Sequence, residues 1–532
     1  AAVTGKRYNL AHYNIGYCYF KSENFSASQV AFRKYIQAKN QTDPDRYNDA
    51  ILRVADCFFM MKDQANAMDY YNQATSANSK SSDYAIYQKA LILGVQGRMA
   101  DKVSTLQKLF DKYPKSVYYD DALYEAGQAS LMLGNHEAAQ SYYGSVIRDF
   151  PSGSYVKKAE LGEALVLYNS KQDDKALAAY QKIVTKYPNT PESREALAQI
   201  KNISVTQNKV EEYLRYVKNV PNADVSKAAE DSLTYEAAEI LYTQGNCAAA
   251  VKDFDSYLQR FPQAIFLVNA YYYKADCQFR NKQYEAALAG YQIVINEARN
   301  SFTEKSLLNA GLINFRQKNY QASLKNYTDL EAIAEIKDNI IAAQTGQMRS
   351  NFKLQNYDAT LVSAQRIFDG STADKDLLNE AHLLAGKCHY FKNDFANAKA
   401  EFIIVSKRTN SEMTAESKYY LAEIEFKSSN YKESQKIIFE IQKQVPSYDF
   451  WIAKGFVLLG DNYLALNDIF QAKETYKSIV ENFEKGPNDP EDIREIASIK
   501  LDALNASEGK KNTKPEEQKK TDGDNESDEP GE

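Results

Sequence analysis

The sequence predicts an all-α fold, a solenoid of about thirteen antiparallel helix hairpins, on three observations. One block recurs along the 532 residues at intervals of 35 to 39, small and aromatic residues keep fixed places within it, and turn-forming residues are sparse. A chain of this length exceeds what one compact core organises, so an array or several domains must be expected. Twelve Pro and 21 Gly are too few for the many turns of an all-β protein this long.

The block is anchored by a small residue at Gly16, Ala55, Ala90, Gly127, Ala164, Ala238, Ala275, Gly311, Gly386, Ala422 and Gly460, with Ile200 and Met348 standing in two blurred units. In the unit at 122–151, Leu123, Ala126, Gly127 and Ser130 take the i, i+3, i+4, i+7 spacing of one helical face. A second helix carries Ala139, Tyr143 and Val146, and the break falls at Gly134-Asn135. Asn or Asp recurs there at Asn24, Asp63, Asn208, Asn246, Asn319, Asn356, Asp394, Asn430 and Asp468. These residues tolerate left-handed backbone and cap a following helix through a side-chain oxygen.

Twelve residues after the anchor stands a second small residue, as in Ser28, Ala67, Ala139, Ala176, Ala250 and Ala472, and Glu212 replaces it in the sixth unit. Two small residues let the helices of a hairpin approach closely. Four places later an aromatic, such as Phe32, Tyr71, Tyr143, Tyr180, Tyr216, Phe254 or Tyr476, supplies stacking area toward the next unit. Pro114, Pro151, Pro188, Pro262 and Pro446 stop second helices, because proline cannot extend the hydrogen-bond ladder.

This combination resembles the tetratricopeptide repeat over residues 8 to about 483, without the usual Trp and with a period a few residues long. Armadillo and HEAT repeats share the period but not the small-plus-aromatic pattern. The resemblance implies a right-handed superhelix in which the fifth, ninth and twelfth residues of each first helix line a concave groove for polypeptide partners. Carried over, the fifth place holds Tyr13, Tyr87, Tyr124, Tyr235, Tyr272 and Tyr419. The twelfth holds Phe20, Phe59, Tyr168, Tyr242, Phe279, Phe315, Phe352, Tyr390 and Phe426. The ninth is acidic at Asp56, Glu239, Asp276, Glu423 and Asp461, with one basic island at Arg349 and Lys387. Tyrosines at these places serve internal packing as readily as recognition.

The expected organisation is a solenoid over 1–483, irregular in its sixth repeat near 189–222, a capping helix over 488–505 and a disordered charged tail over 506–532. The tail from Gly509 has no aliphatic or aromatic side chain to offset its ordering entropy. At the other end Arg7 begins a hairpin at once, so an exposed apolar face, and further repeats before Ala1, are expected.

Net charge is −6, which provides no basic field for nucleic acid. No long uncharged apolar run spans a bilayer; association with a membrane through a preceding region or a partner stays open. His12, His136, His382 and His389 are scattered, and His382, Cys388 and His389 suggest no third ligand, so neither metal nor cofactor is expected. Cys18, Cys57, Cys277 and Cys388 take equivalent places in different repeats, too far apart to bridge between stacked hairpins. Reduced thiols are expected, with pairing of Cys247 to Cys277 left open. No nucleotide loop, zinc-protease pair or nucleophile elbow appears, so no enzymatic activity is expected.

Stretches such as 180–193 and 142–160 are similar to repeats of bacterial envelope proteins, the outer-membrane assembly lipoprotein and the Tol-Pal cell-division coordinator. That resemblance implies a non-catalytic adaptor in the periplasm or at the periplasmic face of the outer membrane. The alternatives are a cytoplasmic regulator or peptide sensor, which unpaired thiols favour, and an RNA-reading repeat, which the acidic balance disfavours.

Overall fold

A computed structural model describes residues 6–38, 43–76, 81–370, 373–408 and 411–511. These residues form 27 helices and no strand. The chain divides into two compact units, Ala1–Phe266 and Leu267–Glu532. The first holds seven hairpins, from α1 (Lys6–Lys21) and α2 (Phe25–Gln37) to α13 (Lys227–Thr243) and α14 (Cys247–Arg260). The second holds six, from α15 (Leu267–Arg280) and α16 (Tyr284–Asn296) to α25 (Asp449–Ala465) and α26 (Ile469–Asn482), and then α27 (Ile493–Lys511).

Each hairpin turns by the same backbone closure, with a side-chain cap added at Asn24, Asp63, Asn135, Asn246, Asp394 and Asp468 but, against expectation, none at Asn319, Asn356 or Asn430. At the end of α7 (Tyr119–Met132), Gly134 has φ +73, its N–H bonds to the Leu131 carbonyl, and the Asn135 N–H bonds to the Ser130 carbonyl. This paired closure satisfies carbonyls that a helix end leaves orphaned. Asn135 then caps α8 (His136–Asp149) through its side chain, accepting from the Ala138 N–H at 3.1 Å. Left-handed backbone recurs at Glu23, Lys62, Gly97, Lys171, Asn208, Gly245, Lys282, Lys318, Gln355, Asn393, Ser429 and Asn467, one per hairpin. The two hinge tasks expected of a single Asn or Asp therefore fall to two consecutive residues, and most non-glycine residues in the first place accept a cost of about 1 kcal/mol.

That register corrects the sixth hairpin, α11 (Pro191–Thr206) and α12 (Val210–Val217). Asn208 is its left-handed residue and not its cap, so Lys201, not Ile200, occupies the anchor place. Ile200 is instead buried on the face toward its neighbours. The second small place and the aromatic place likewise move from Glu212 and Tyr216 to Tyr213 and Val217, both buried. With Tyr213 where alanine usually stands, α12 spans only 8 residues.

Close approach elsewhere follows the pattern. A Cβ on Gly127 would lie 2.7 Å from a Tyr143 ring carbon, and one on Gly16 2.8 Å from the Phe32 ring. Tyr71, Tyr180, Tyr291 and Tyr476 are fully buried between hairpins. In the third hairpin the second small place holds Lys102, which is buried and ion-paired with Glu125 on the next first helix.

The first and last described helices differ. α27 packs Ile493 and Ala497 into the core of the last hairpin, with Ile496, Leu501 and Leu504 alongside. It extends to Lys511, past the expected boundary at 505; the rest of the expected tail lies outside the described residues. On α1, Tyr8, Ile15 and Tyr19 are exposed.

Cys247 and Cys277 are each disulfide-bonded, so the expectation of reduced thiols fails for these two. The spacing argument against bridging does not reach Cys247, which opens a second helix instead of sharing the common place. Cys18, Cys57 and Cys388 are free.

Candidate functional site

The residues expected to line the groove divide into internal packing and a smaller accessible set. Fifth-place tyrosines pack on an aromatic at or just before the start of the next first helix. Tyr87 meets Tyr118 at a centroid distance of 5.4 Å, Tyr124 meets Tyr155 at 4.9 Å, and Tyr235 meets Phe266 at 4.3 Å. Tyr272 meets Phe302 at 4.3 Å and Tyr419 meets Trp451 at 5.7 Å. Tyr87, Tyr235, Tyr272 and Tyr419 are buried as a result, whereas Tyr124 and Tyr13 are half-buried.

Twelfth-place aromatics pair across the hinge with a ring five residues later. The pairs are Phe20 with Phe25, Phe279 with Tyr284, Phe315 with Tyr320, Phe352 with Tyr357, Tyr390 with Phe395 and Phe426 with Tyr431, at 5.3–6.3 Å. Tyr390 is buried, while Phe59, Tyr168, Tyr242, Phe279, Phe315, Phe352 and Phe426 keep part of their surface accessible.

Ninth-place charges are bound within the fold. Asp56 is buried and accepts hydrogen bonds from the hydroxyls of Tyr71 (2.6 Å) and Tyr84 (2.9 Å) and from Arg53 (2.6 Å). Arg53 in turn lies 5.9 Å from the centroids of Tyr17, Phe20 and Tyr84, and Tyr13 donates to Asp49 beside it at 2.8 Å. Glu239 accepts from the Tyr235 hydroxyl at 2.8 Å, and Asp276 pairs with Arg280 at 2.6 Å. The expected basic island is neutralised: Arg349 forks onto Glu380 (2.7 and 2.6 Å), and Lys387 pairs with Glu416 (2.6 Å) over the Phe352 ring.

One accessible concavity gathers expected groove residues. In the second unit, Tyr419, Glu423 and Phe426 on α23 (Glu412–Lys427) face Lys454, Val457, Leu458 and Asp461 on α25 and Ile493 and Ile496 on α27, enclosing about 340 Å³ with Lys427 and Glu491. Val457, Leu458 and Ile493 are buried and form an apolar floor. Around them, Lys454 lies 5.1 Å from the Tyr419 centroid and pairs with Glu491, Lys427 covers the Tyr390 ring at 4.4 Å, and Asp461 accepts from Lys500 at 2.7 Å and from the Tyr476 hydroxyl at 2.6 Å. The pocket has apolar depth and alternating charge at the rim, suited to an amphipathic polypeptide segment. Its lining by α27 was not visible in the repeat pattern, which assigned that helix a covering role only; the Ile493 and Ile496 spacing was the available signal.

Two histidines are held by carboxylates: His382 Nδ1 lies 2.6 Å from Glu401 with its ring stacked on Phe368, and His389 Nδ1 lies 3.1 Å from Asp394; His136 Nδ1 instead lies 3.0 Å from the Ser170 hydroxyl, and His12 meets the Tyr8 ring edge-on at 4.9 Å. Among the described residues no group of three His, Cys, Asp or Glu converges, and no helix is long and apolar enough to cross a membrane.

Stacked helix hairpins with small crossings define an all-helical repeat protein, a class commonly used as protein–protein interaction scaffolds and generally non-catalytic. The chain carries tetratricopeptide repeats: tetratricopeptide repeat families match residues 11–42, 49–81, 84–116, 121–153, 158–190 and 235–301, and a tetratricopeptide repeat-like domain matches 312–506. The sixth hairpin lies between the matched spans. Among solved structures, the chain is similar to yeast Tom70 (15% identity, 94% of this chain and 96% of that one, TM-score 0.31). It is also similar to the P58(IPK) TPR domain (15%, 80% and 99%, TM-score 0.26) and to a tetratricopeptide repeat protein from Parabacteroides merdae (16%, 50% and 99%, TM-score 0.27). No curated protein sequence matches it significantly.

Proposed function

We propose that the chain is a non-catalytic adaptor that holds polypeptide partners along its first helices, with the pocket between α23, α25 and α27 as the anchoring point. The observation that carries this reading is the pocket itself, where an apolar floor lies beneath charges that are partly satisfied but still accessible. A partner segment would place an aliphatic side chain on Val457 and Leu458 and pair its charges with Glu423, Glu491 or Lys427. Burial of the aliphatic side chain supplies affinity, and the charged rim selects and orients.

The test is affinity purification from the source cell with wild type and a Glu423→Arg/Ile496→Asp variant. Both positions are only partly buried, so helicity should persist while a partner recovered by wild type is lost. Equal recovery of every partner by the two proteins, with unchanged helicity, removes the pocket from the reading.

For the compartment, we propose the periplasm or the periplasmic face of the outer membrane. The disulfide-bonded Cys247 and Cys277 support it, because disulfides persist in oxidising compartments. The free Cys18, Cys57 and Cys388 favour the cytoplasmic alternative. Alkylation in denaturant of the protein taken directly from its cell decides between them: two cysteines protected until reduction support the envelope, and five alkylated at once support the cytoplasm.

A further inference from the structure

We propose that the pocket between α23, α25 and α27 takes a lysine or arginine side chain of its partner, laid on the Phe426 ring against Glu423, with an aliphatic neighbour on the floor. This rests on the adaptor reading of the same pocket and names the chemistry of the segment held there. The chain fills the matching place itself in the two preceding hairpins. The Phe352 ring on α19 (Lys337–Lys353) is covered at 5.3 Å by Lys387 of α21 (Lys375–Phe391), and the Tyr390 ring on α21 is covered at 4.4 Å by Lys427 of α23. Lys387 also pairs with Glu416 at 2.6 Å, and Lys427 donates to the Tyr390 hydroxyl. In each case a cation from one first helix lies on the twelfth-place ring of the first helix before it.

Phe426 is the next such ring, lies in the pocket and keeps part of its surface accessible. Counted from the anchor Gly460, the places of Lys387 and Lys427 hold Asp461 and Ala465. Neither carries a cation, and among the described residues no Lys or Arg head stands over Phe426. The cations already at the pocket are engaged elsewhere. Lys454 is held over the Tyr419, Phe450 and Trp451 rings and pairs with Glu491, Lys427 is held at Tyr390, and Lys500 pairs with Asp461. Glu423, one turn before Phe426, meets among the described residues no cation closer than the Lys427 ammonium at 4.0 Å, so its oxygens retain acceptor capacity. Burial, and after it the Glu423 charge, push the Tyr390 and Tyr419 phenols above their usual range, which marks a negative field at this wall. A cation between the Phe426 face and Glu423 is attracted by both, whereas a carboxylate there is repelled. The floor of Val457, Leu458 and Ile493 receives the aliphatic residue beside it.

The test is fluorescence anisotropy with two labelled synthetic peptides, an amphipathic helix of leucine and lysine and the same helix with every lysine replaced by glutamate. Wild type should bind the lysine peptide about tenfold more tightly. Ala465→Lys, at an exposed position, supplies the cation from within the chain and should abolish that preference at unchanged helicity. Ala100→Lys, which adds the same charge at an exposed position of the first unit, should keep it, and Glu423→Gln should reduce it. Equal binding of the two peptides by wild type, or a preference that survives Ala465→Lys, overturns the inference and leaves the adaptor reading in place. A preference that appears only after deletion of residues 512–532 assigns the place to the chain's own lysines and also overturns it. Binding of neither peptide, with or without those residues, removes the adaptor reading of the pocket together with the inference.

Discussion

The first and last hairpins are built alike yet finish differently. α27 takes the place a following first helix would have and carries Ile493 and Ala497 into the core beside α26, while α1 presents the matching stripe with Ile15 and Tyr19 uncovered. The contrast shows that a repeat's apolar faces are set by its internal pattern and are buried only where another helix packs on them. What the ends contribute to stability and recognition follows from cover, not from composition.

Five substitutions sharpen or break that comparison. The largest effect is expected where the cover is complete: Ala497→Asp places a carboxylate at a 0% exposed site and should cost about 3 kcal/mol in urea unfolding, whereas Ile15→Asp on the open face should stay within about 0.5 kcal/mol. Equal losses at the two sites would mean that α1 is covered as α27 covers α26. Next, Gly127→Leu drives a side chain into the Tyr143 ring, 2.7 Å from the position of its Cβ, and should cost about 1–3 kcal/mol by thermal melting. Its loss should stay within neighbouring hairpins in hydrogen exchange; a melt matching wild type would invalidate the repeat register.

Asp56→Ala is expected to cost about 1–3 kcal/mol, because it strips Arg53, Tyr71 and Tyr84 of a buried acceptor. A null result in a chemical denaturation series would show that the N-terminal hairpins do not depend on their polar network. The smallest effect is a pH dependence in the second unit. Burial raises the Glu425 carboxyl, but the Lys399 ammonium and the Asn430 amide outweigh it and hold the group below its usual value. A depressed carboxylate contributes stability above its unfolded value and loses it as pH falls through its folded value. Glu425→Gln should therefore flatten the acid limb of urea midpoints measured between about pH 6 and pH 3.

Much of this was legible in the chain. The anchors at Gly127 or Ala55 and the rings at Tyr143 or Tyr71 located twelve of the thirteen hairpins to the residue. The sixth escaped by one position because Asn208 does the work of Glu23 and Lys62, and a residue type alone does not say which of two hinge tasks it performs. The candidate groove was read less well. Tyr235, Tyr272 and Tyr390 stand at partner-facing places by analogy, yet each has a ring of the chain itself within 6 Å. Phe266, Phe302 and Phe395 were the overlooked half of the pattern, visible only as aromatics placed just before a first helix or just after a hinge.

The sequence by itself determined the helix periods, the small crossings, the hinge spacing and the apolar stripe on α1, because each depends on residues within one hairpin or its repeat. Tertiary structure decided which tyrosines and charges remain accessible, where α27 closes a pocket with α23 and α25, and that Asp56, Arg349 and Lys387 are already paired. Those outcomes depend on partners about one repeat away, whose reach and orientation are fixed only when the hairpins stack.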